Sequence, residues 1–377
     1  MNKFIYLDNA ATTKVDEKAI EAISTFSREH FFNPSATGAK SIVVKNKIEE
    51  TRLKIATLIN ANNKKCIIFT SGATESNNHA IFSSCRRKGD YIFSIGEHPS
   101  VYNTAKELEK NGASVKFCKL QTNGEIDYEN LKSLVSNETI FISTIIVNNE
   151  TGAISDLKKI AEIKNENCPK AIWHVDAVQA FGKIVFDVQS LGCDLMTFSS
   201  HKIHGPKGLG ILYAKNPEKL NKFIFGGAQE NNLRAGTENA SAIAGLCEVV
   251  KTKSEIQKFY EYVSSLKTEF LKIIKEKLGI DENVPNGSPY ICSLSIPNVT
   301  GETLQRQLDS EQIIIGTGSA CSSKKNGNRI LEAMGFNKQK VLSSIRVSFS
   351  RNNTKEEVIE AANALCEAVT KLKQYGE

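Results

Sequence analysis

The chain has 377 residues, 40% of them hydrophobic and 24% charged. This ordinary globular usage excludes a disordered, collagen-like or coiled-coil protein. Lysine and arginine number 48 against 42 acidic residues, a net charge of +6, too small and too evenly spread to call for a nucleic-acid or membrane partner. The cysteines, 9 in all, show no CxxC spacing; an odd, scattered set argues against a disulfide framework and against zinc, and no metal is expected. The first residues turn polar at Asp8, before an apolar signal core could form. A cytoplasmic protein is expected.

In chain order, short β-rich runs alternate with amphipathic helical stretches from about residue 64 to 215. The runs are Cys66–Thr70, Tyr91–Ser94, Ser114–Cys118, Thr139–Val147, Ala171–Asp176 and Leu195–Ser199. Continuous apolar runs separated by helices predict parallel strands covered on both faces. Thr139–Val147, the most apolar of them, is far shorter than the roughly 20 residues needed to cross a bilayer. A helical pattern then extends from about Ala240 to Leu278. After it come strand-like Ser293–Ile296, Ile313–Ile315 and Ile345–Ser348, with helices near Glu302–Ser310 and Lys355–Tyr375. The expected fold class is α/β. A large domain over residues 15–250 carries a mostly parallel sheet flanked by helices, and residues 1–14 with 251–377 form a smaller α+β domain. A glycine- and serine-rich loop is expected over 316–327.

Parallel sheets bind ligands at the carboxyl ends of their strands, and several of these runs end in reactive residues. Ser199-Ser200-His201-Lys202 puts a lysine directly after a buried run, where its charge must be paired, solvated or titrated away. A neutral amine there can form a Schiff base with an aldehyde cofactor, although an isolated lysine is more often a surface residue in a turn. His174-Val175-Asp176-Ala177-Val178-Gln179 ends another run in an aspartate. It either caps a helix or faces the protonated pyridine nitrogen of pyridoxal phosphate, with Gln179 near enough to meet the ring hydroxyl. Ser71-Gly72-Ala73-Thr74 lies between a strand and a helix, where free N–H groups, the helix dipole and a hydroxyl could hold a phosphate or merely cap the helix. His98, taken alone, reads as a polar turn residue; beside a pyridoxal ring it could stack on the ring face and pass protons.

These blocks are joined by others: Tyr6-Leu7-Asp8-Asn9-Ala10-Ala11-Thr12-Thr13, Val147-Asn148-Asn149-Glu150-Thr151-Gly152, Arg234-Ala235-Gly236-Thr237-Glu238-Asn239, Gly318-Ser319-Ala320-Cys321 and Ser343-Ser344-Ile345-Arg346-Val347-Ser348. Together they span nearly the whole chain, and in this order the sequence resembles the cysteine desulfurases of the NifS/IscS type, in the class V group of pyridoxal-phosphate fold-type I enzymes. The resemblance implies that Lys202 binds the cofactor aldehyde, Asp176 pairs the pyridine nitrogen, Gln179 meets the ring oxygen and His98 stacks on the ring. It further implies that Ala73, Thr74, Ser199 and His201 hold the phosphate, with Thr237 reaching it from the neighbouring subunit of a homodimer. Arg346 would clamp the substrate carboxylate, assisted by Asn149.

Cys321 distinguishes a desulfurase from its aminotransferase relatives, because removing sulfur requires a nucleophile that reaches the substrate's own sulfur. Lys324 and Lys325 stand close by in sequence, and cations favour a thiolate. The expected activity is conversion of L-cysteine to L-alanine, with the sulfur carried as a Cys321 persulfide for iron–sulfur clusters or other thio-cofactors. A sulfur acceptor or iron–sulfur scaffold protein is the expected partner. Where members of the family usually carry a Leu-Glu-Pro-Ser-like segment after this cysteine, the chain has Ser322-Ser323-Lys324-Lys325, which bears on the acceptor. The rival readings are a selenocysteine lyase, an aminotransferase and a degenerate, non-catalytic assembly protein.

Overall fold

A computed structural model describes residues 4–84, 88–317 and 328–374. The strands are β1 (Ile5–Leu7), β2 (Ile67–Thr70), β3 (Asp90–Ser94), β4 (Ser114–Cys118), β5 (Thr139–Ile145), β6 (Ile172–Asp176), β7 (Leu195–Ser199), β8 (Gly210–Ala214), β9 (Ile291–Ser295), β10 (Ile313–Thr317) and β11 (Ser344–Ser348). They form a seven-stranded sheet in the order β2-β8-β7-β6-β5-β3-β4 and a four-stranded sheet in the order β1-β10-β11-β9.

The large sheet is parallel except for β8, which runs antiparallel to both neighbours. Its strands are buried along most of their length because helices cover both faces, whereas the edge strand β4 is only partly buried and pairs Lys116 with Asp90 of β3. Ile67 and Phe69 pack in the cluster containing Val44, Ile48 and Ile55 of the helix Ala39–Ile59. Ile68, between them, points the other way, toward Ile81 of the helix Ala73–Ser84 and Val101 of the helix Pro99–Lys110.

Several sequence expectations need correction. Strand β8 was not foreseen: residues 200–209, which include Gly205-Pro206-Lys207-Gly208, carry the chain back, and the short buried run after them pairs with β7 and β2. Strand β1, three residues long, was missed for its brevity. Cys66 closes a 3-10 turn rather than opening β2, β5 ends at Ile145, and β6 begins at Ile172. The helical pattern over 240–278 is two helices, Ala240–Val249 and Lys253–Leu278. Thr252 separates them because its side chain and that of Glu255 cap each other's backbone N–H groups.

The segment after β1 ties the two sheets together. Strand β1 pairs with β10, the Asn9 side chain donates to the carbonyl of Ser348 at 2.9 Å, and the Thr13 N–H donates to the carbonyl of His201 at 3.0 Å. Residues 8–13 therefore run from the small sheet across to the turn that follows β7.

Candidate active site

The carboxyl ends of β2, β5, β6 and β7 open into a cavity of about 560 Å³, closed on the other side by Arg346 of β11. Ala73 and Thr74, at the start of the helix Ala73–Ser84, line one end. The first N–H groups of a helix have no intrahelical acceptor, and the dipole is positive there. Strand β8 passes very close to this turn: a Cβ on Gly210 would stand 2.3 Å from the Gly72 carbonyl carbon, so the position requires glycine. Ser199 and His201 line the cavity beside it. The Nδ1 of His201 lies 3.1 Å from the Thr12 hydroxyl. Burial first, then the charges of Lys202, Lys207 and Lys183, push the imidazole pKa down to about 4, so it is neutral.

Lys202 ends the single 3-10 turn that follows β7. Its Nζ donates to the carbonyls of Ala10 and Ala11 at 2.6 and 2.7 Å. Asp176, the last residue of β6, is only 2% exposed. Its carboxylate accepts from the Asn77 side chain at 3.0 Å and from the Val178 N–H at 3.0 Å. Both donors are neutral, so the charge is held by hydrogen bonds and faces the cavity. Gln179 sits one turn on, its Nε2 donating to the Ala10 carbonyl at 2.9 Å.

His98 caps the helix Pro99–Lys110, and this capping fixes its ring. Its Nδ1 accepts from the Ser100 N–H at 3.2 Å, which leaves the proton of the neutral ring on Nε2. Burial lowers its pKa, Asp176 opposes that shift, and Lys202 and Arg329 reinforce it. Asn77 links the two groups, donating to Asp176 and, at 2.9 Å, to the hydroxyl of Ser100. Sequence reasoning passed over Asn77 and Ser100; their signal was position, one turn into a helix that begins at the site and two residues after His98.

Arg346 projects from β11, 5% exposed. Its Nη2 pairs with Asp8 at 2.7 Å and its Nη1 donates to the Asn149 carbonyl at 2.8 Å. Its Nε is buried without a hydrogen-bond partner among the described residues. Asn149 itself lines the cavity after β5. Thus ten of the residues singled out in the sequence share one cavity wall: Ala73, Thr74, His98, Asn149, Asp176, Gln179, Ser199, His201, Lys202 and Arg346. Thr237 is exposed and does not line it. Cys321 lies outside the described residues.

The chain matches the profile of the family described as Aminotransferase class-V over residues 5–360. It is 37% identical over 384 residues to the cysteine desulfurase IscS of Neisseria meningitidis serogroup C (strain 053442), covering 98% of this chain and 93% of that protein. To the cysteine desulfurase IscS 1 of Archaeoglobus fulgidus it is 36% identical over 381 residues, covering 98% and 97%. Among solved structures, one described as a NifS-like protein superposes with a TM-score of 0.91 at 32% identity, covering 98% of this chain and all of that one. SspA in complex with cysteine superposes with a TM-score of 0.82 at 30% identity over 93% of this chain and 99% of that one. A full-length match in sequence and fold, with the lysine turn at the carboxyl edge of a mostly parallel sheet, leaves one conclusion: the chain belongs to the class V aminotransferase family.

Proposed function

We propose that this protein is a pyridoxal-phosphate-dependent cysteine desulfurase that converts L-cysteine to L-alanine and takes the sulfur onto Cys321. The observation that carries the reading is one cavity holding an amine, a buried carboxylate, a neutral imidazole and a guanidinium, drawn from both sheets. The donor set fits the cofactor. Asp176 is a buried anion whose hydrogen bonds among the described residues come from neutral donors, leaving it to face a cationic ring nitrogen. The helix start at Ala73 and Thr74, with Ser199 and His201, suits a phosphate. When bound, pyridoxal phosphate supplies the electron sink for the substrate's Cα carbanion.

The chain's own residues do the rest. Arg346, whose guanidinium lines the cavity, binds the substrate carboxylate, and Asn149 lies beside it. Lys202, once free of the cofactor, takes the Cα proton on Nζ. His98 holds a proton on Nε2 and exchanges it with the thiols. The Cys321 thiolate attacks the substrate sulfur, the Cβ–S bond breaks, and the sulfur stays on Cys321 as a persulfide while the carbon skeleton leaves as alanine. Thr237 reaches the phosphate of a second copy in a homodimer, in which residues 15–250 act as the large domain and 1–14 with 251–377 as the small one. The persulfide then passes to an acceptor thiol or an iron–sulfur scaffold. No helix among the described residues is long and apolar enough to cross a membrane.

The test is mass spectrometry of Cys321 after the holoenzyme meets cysteine; one added sulfur is expected. Cys321→Ser should keep the cofactor's colour and still bind cysteine but release no sulfide, and full sulfide release by that variant rejects the covalent step.

A further inference from the structure

Lys183 is a buried cation beside the cavity that the proposed reaction leaves unused. It is 6% exposed, and among the described residues no carboxylate lies within ion-pair distance of it. Its Nζ donates to the Oε1 of Gln179 at 2.9 Å and stands 5.5 Å from the centroid of the Tyr290 ring. The charged and titratable groups around it are Lys202, His201 and His204 from the turn after β7, Arg346 and Arg351 from β11 and the segment beyond it, and Tyr290. Burial, and then Lys202 and Arg346, lower its pKa to about 7.

The geometry around Gln179 has one solution. A carbonyl only accepts and an ammonium only donates. The Ala10 carbonyl must therefore face Nε2, and Lys183 must face Oε1, so the two partners together fix the amide in one orientation. The same Ala10 carbonyl accepts from Lys202. Lys183, Gln179, Ala10 and Lys202 thus form one continuous chain of hydrogen bonds. Lys183 and Lys202 also share the wall of a small second cavity behind the first.

We propose that Lys183 is a positioning residue for the cofactor: by holding the Oε1 of Gln179 it keeps Nε2, with a second N–H beside the one given to Ala10, as the donor for the ring oxygen, and it places a second positive charge near Lys202. The proposal rests on reading Lys202 and Gln179 as the pyridoxal-phosphate ligands. An anionic phosphate and ring oxygen in the cavity favour the charged form of Lys183. That charge in turn disfavours a proton on the nitrogen that joins Lys202 to the cofactor.

Two variants separate the roles. Lys183→Met removes both donor and charge, whereas Lys183→Gln keeps an N–H donor without the charge. The measurements are the dissociation constant for pyridoxal phosphate and the pH midpoint of the holoenzyme's visible absorption band. Lys183→Met should weaken cofactor binding about tenfold, as expected for losing a charge-assisted hydrogen bond, and raise the midpoint by roughly half a pH unit. Lys183→Gln should recover most of the affinity and keep the raised midpoint. Affinity within about twofold of wild type and an unmoved midpoint in Lys183→Met overturn the proposal. Should that variant not fold, an unmoved midpoint in Lys183→Gln overturns it. Wild-type protein that shows no band fixed at Lys202 defeats the proposed function itself, while a normal wild-type band matched by both variants defeats only the role of Lys183.

Discussion

In the seven-stranded sheet Ile145, Asp176 and Ser199 reach the cavity from the carboxyl ends of β5, β6 and β7, with Lys202 in the turn just past β7, whereas the four-stranded sheet contributes Arg346 from the middle of β11, opposite Ser293 of β9 on one side and Gly316 of β10 on the other. A strand-end residue is held by its own turn, and its replacement leaves the sheet ladder untouched. A mid-strand arginine is buried among neighbours that must accommodate it. Asp8 and the Asn149 carbonyl satisfy its two Nη groups, and Gly316 clears the space: a Cβ there would stand 2.7 Å from the Asp8 carboxylate and 3.0 Å from the guanidinium. Strand-end residues can be exchanged one at a time, but this clamp is a unit of Asp8, Gly316 and Arg346.

That contrast can be tested at both sheets. The largest effect is expected at a strand end: Lys202→Ala should lower alanine formation from cysteine by about 10²- to 10⁴-fold, the range for losing a positioned acid–base group, with an unchanged far-ultraviolet circular dichroism spectrum. Arg346→Lys should raise KM for cysteine roughly 10- to 100-fold and also lower the melting temperature, since it replaces the planar guanidinium that meets Asp8 and the Asn149 carbonyl through two separate nitrogens. A KM defect without loss of stability would show that the clamp is not a unit.

A subtler test uses the depressed lysine. Burial holds Lys183 at about 7 in the folded chain, against 10.5 for an ordinary lysine. Between those values the unfolded chain binds a proton that the native chain does not, so wild-type stability rises with pH across that window. Cofactor-free Lys183→Met lacks this dependence. Its advantage over wild type in urea denaturation should be greatest below pH 7 and vanish above about pH 10.5. Smallest of all, Thr252→Ala should cost about 1 kcal/mol by removing a helix cap, leaving cysteine turnover unchanged because the break at 250–252 is remote from both sheets' contributions to the cavity.

Strands β2, β3, β5, β6 and β7 of the large sheet were legible because burial on both faces makes them mainly apolar runs, and the cavity's position followed from the polar residues at their ends. Strand β8 escaped because the glycine-rich connection before it, with Gly205, Gly208 and Pro206, reads as loop and the run after it is short. Strand β1 escaped because its partner, β10, lies more than 300 residues away and no local periodicity records such a pairing. Within the site, Lys202, Asp176, His98 and Arg346 carry residue types that are conspicuous where they stand. Asn77, Ser100, Asp8 and Lys183 do not, since their effect is exerted on other side chains: each is an ordinary polar residue until the fold brings Asp176, His98, Arg346 and Gln179 against it.

The strap over residues 8–13 has a consequence for how the molecule is made. Ala10 is made before the lysine it receives, which comes 192 positions later, and the bond from Asn9 to Ser348 spans 339 positions. The pocket's front wall cannot be fully seated until residue 348 has been made, because contacts so distant in sequence wait on the closing of a very long loop. A chain stopped before Arg346 would own the lysine and the aspartate but lack the guanidinium of the far wall and the bond that seats Asn9.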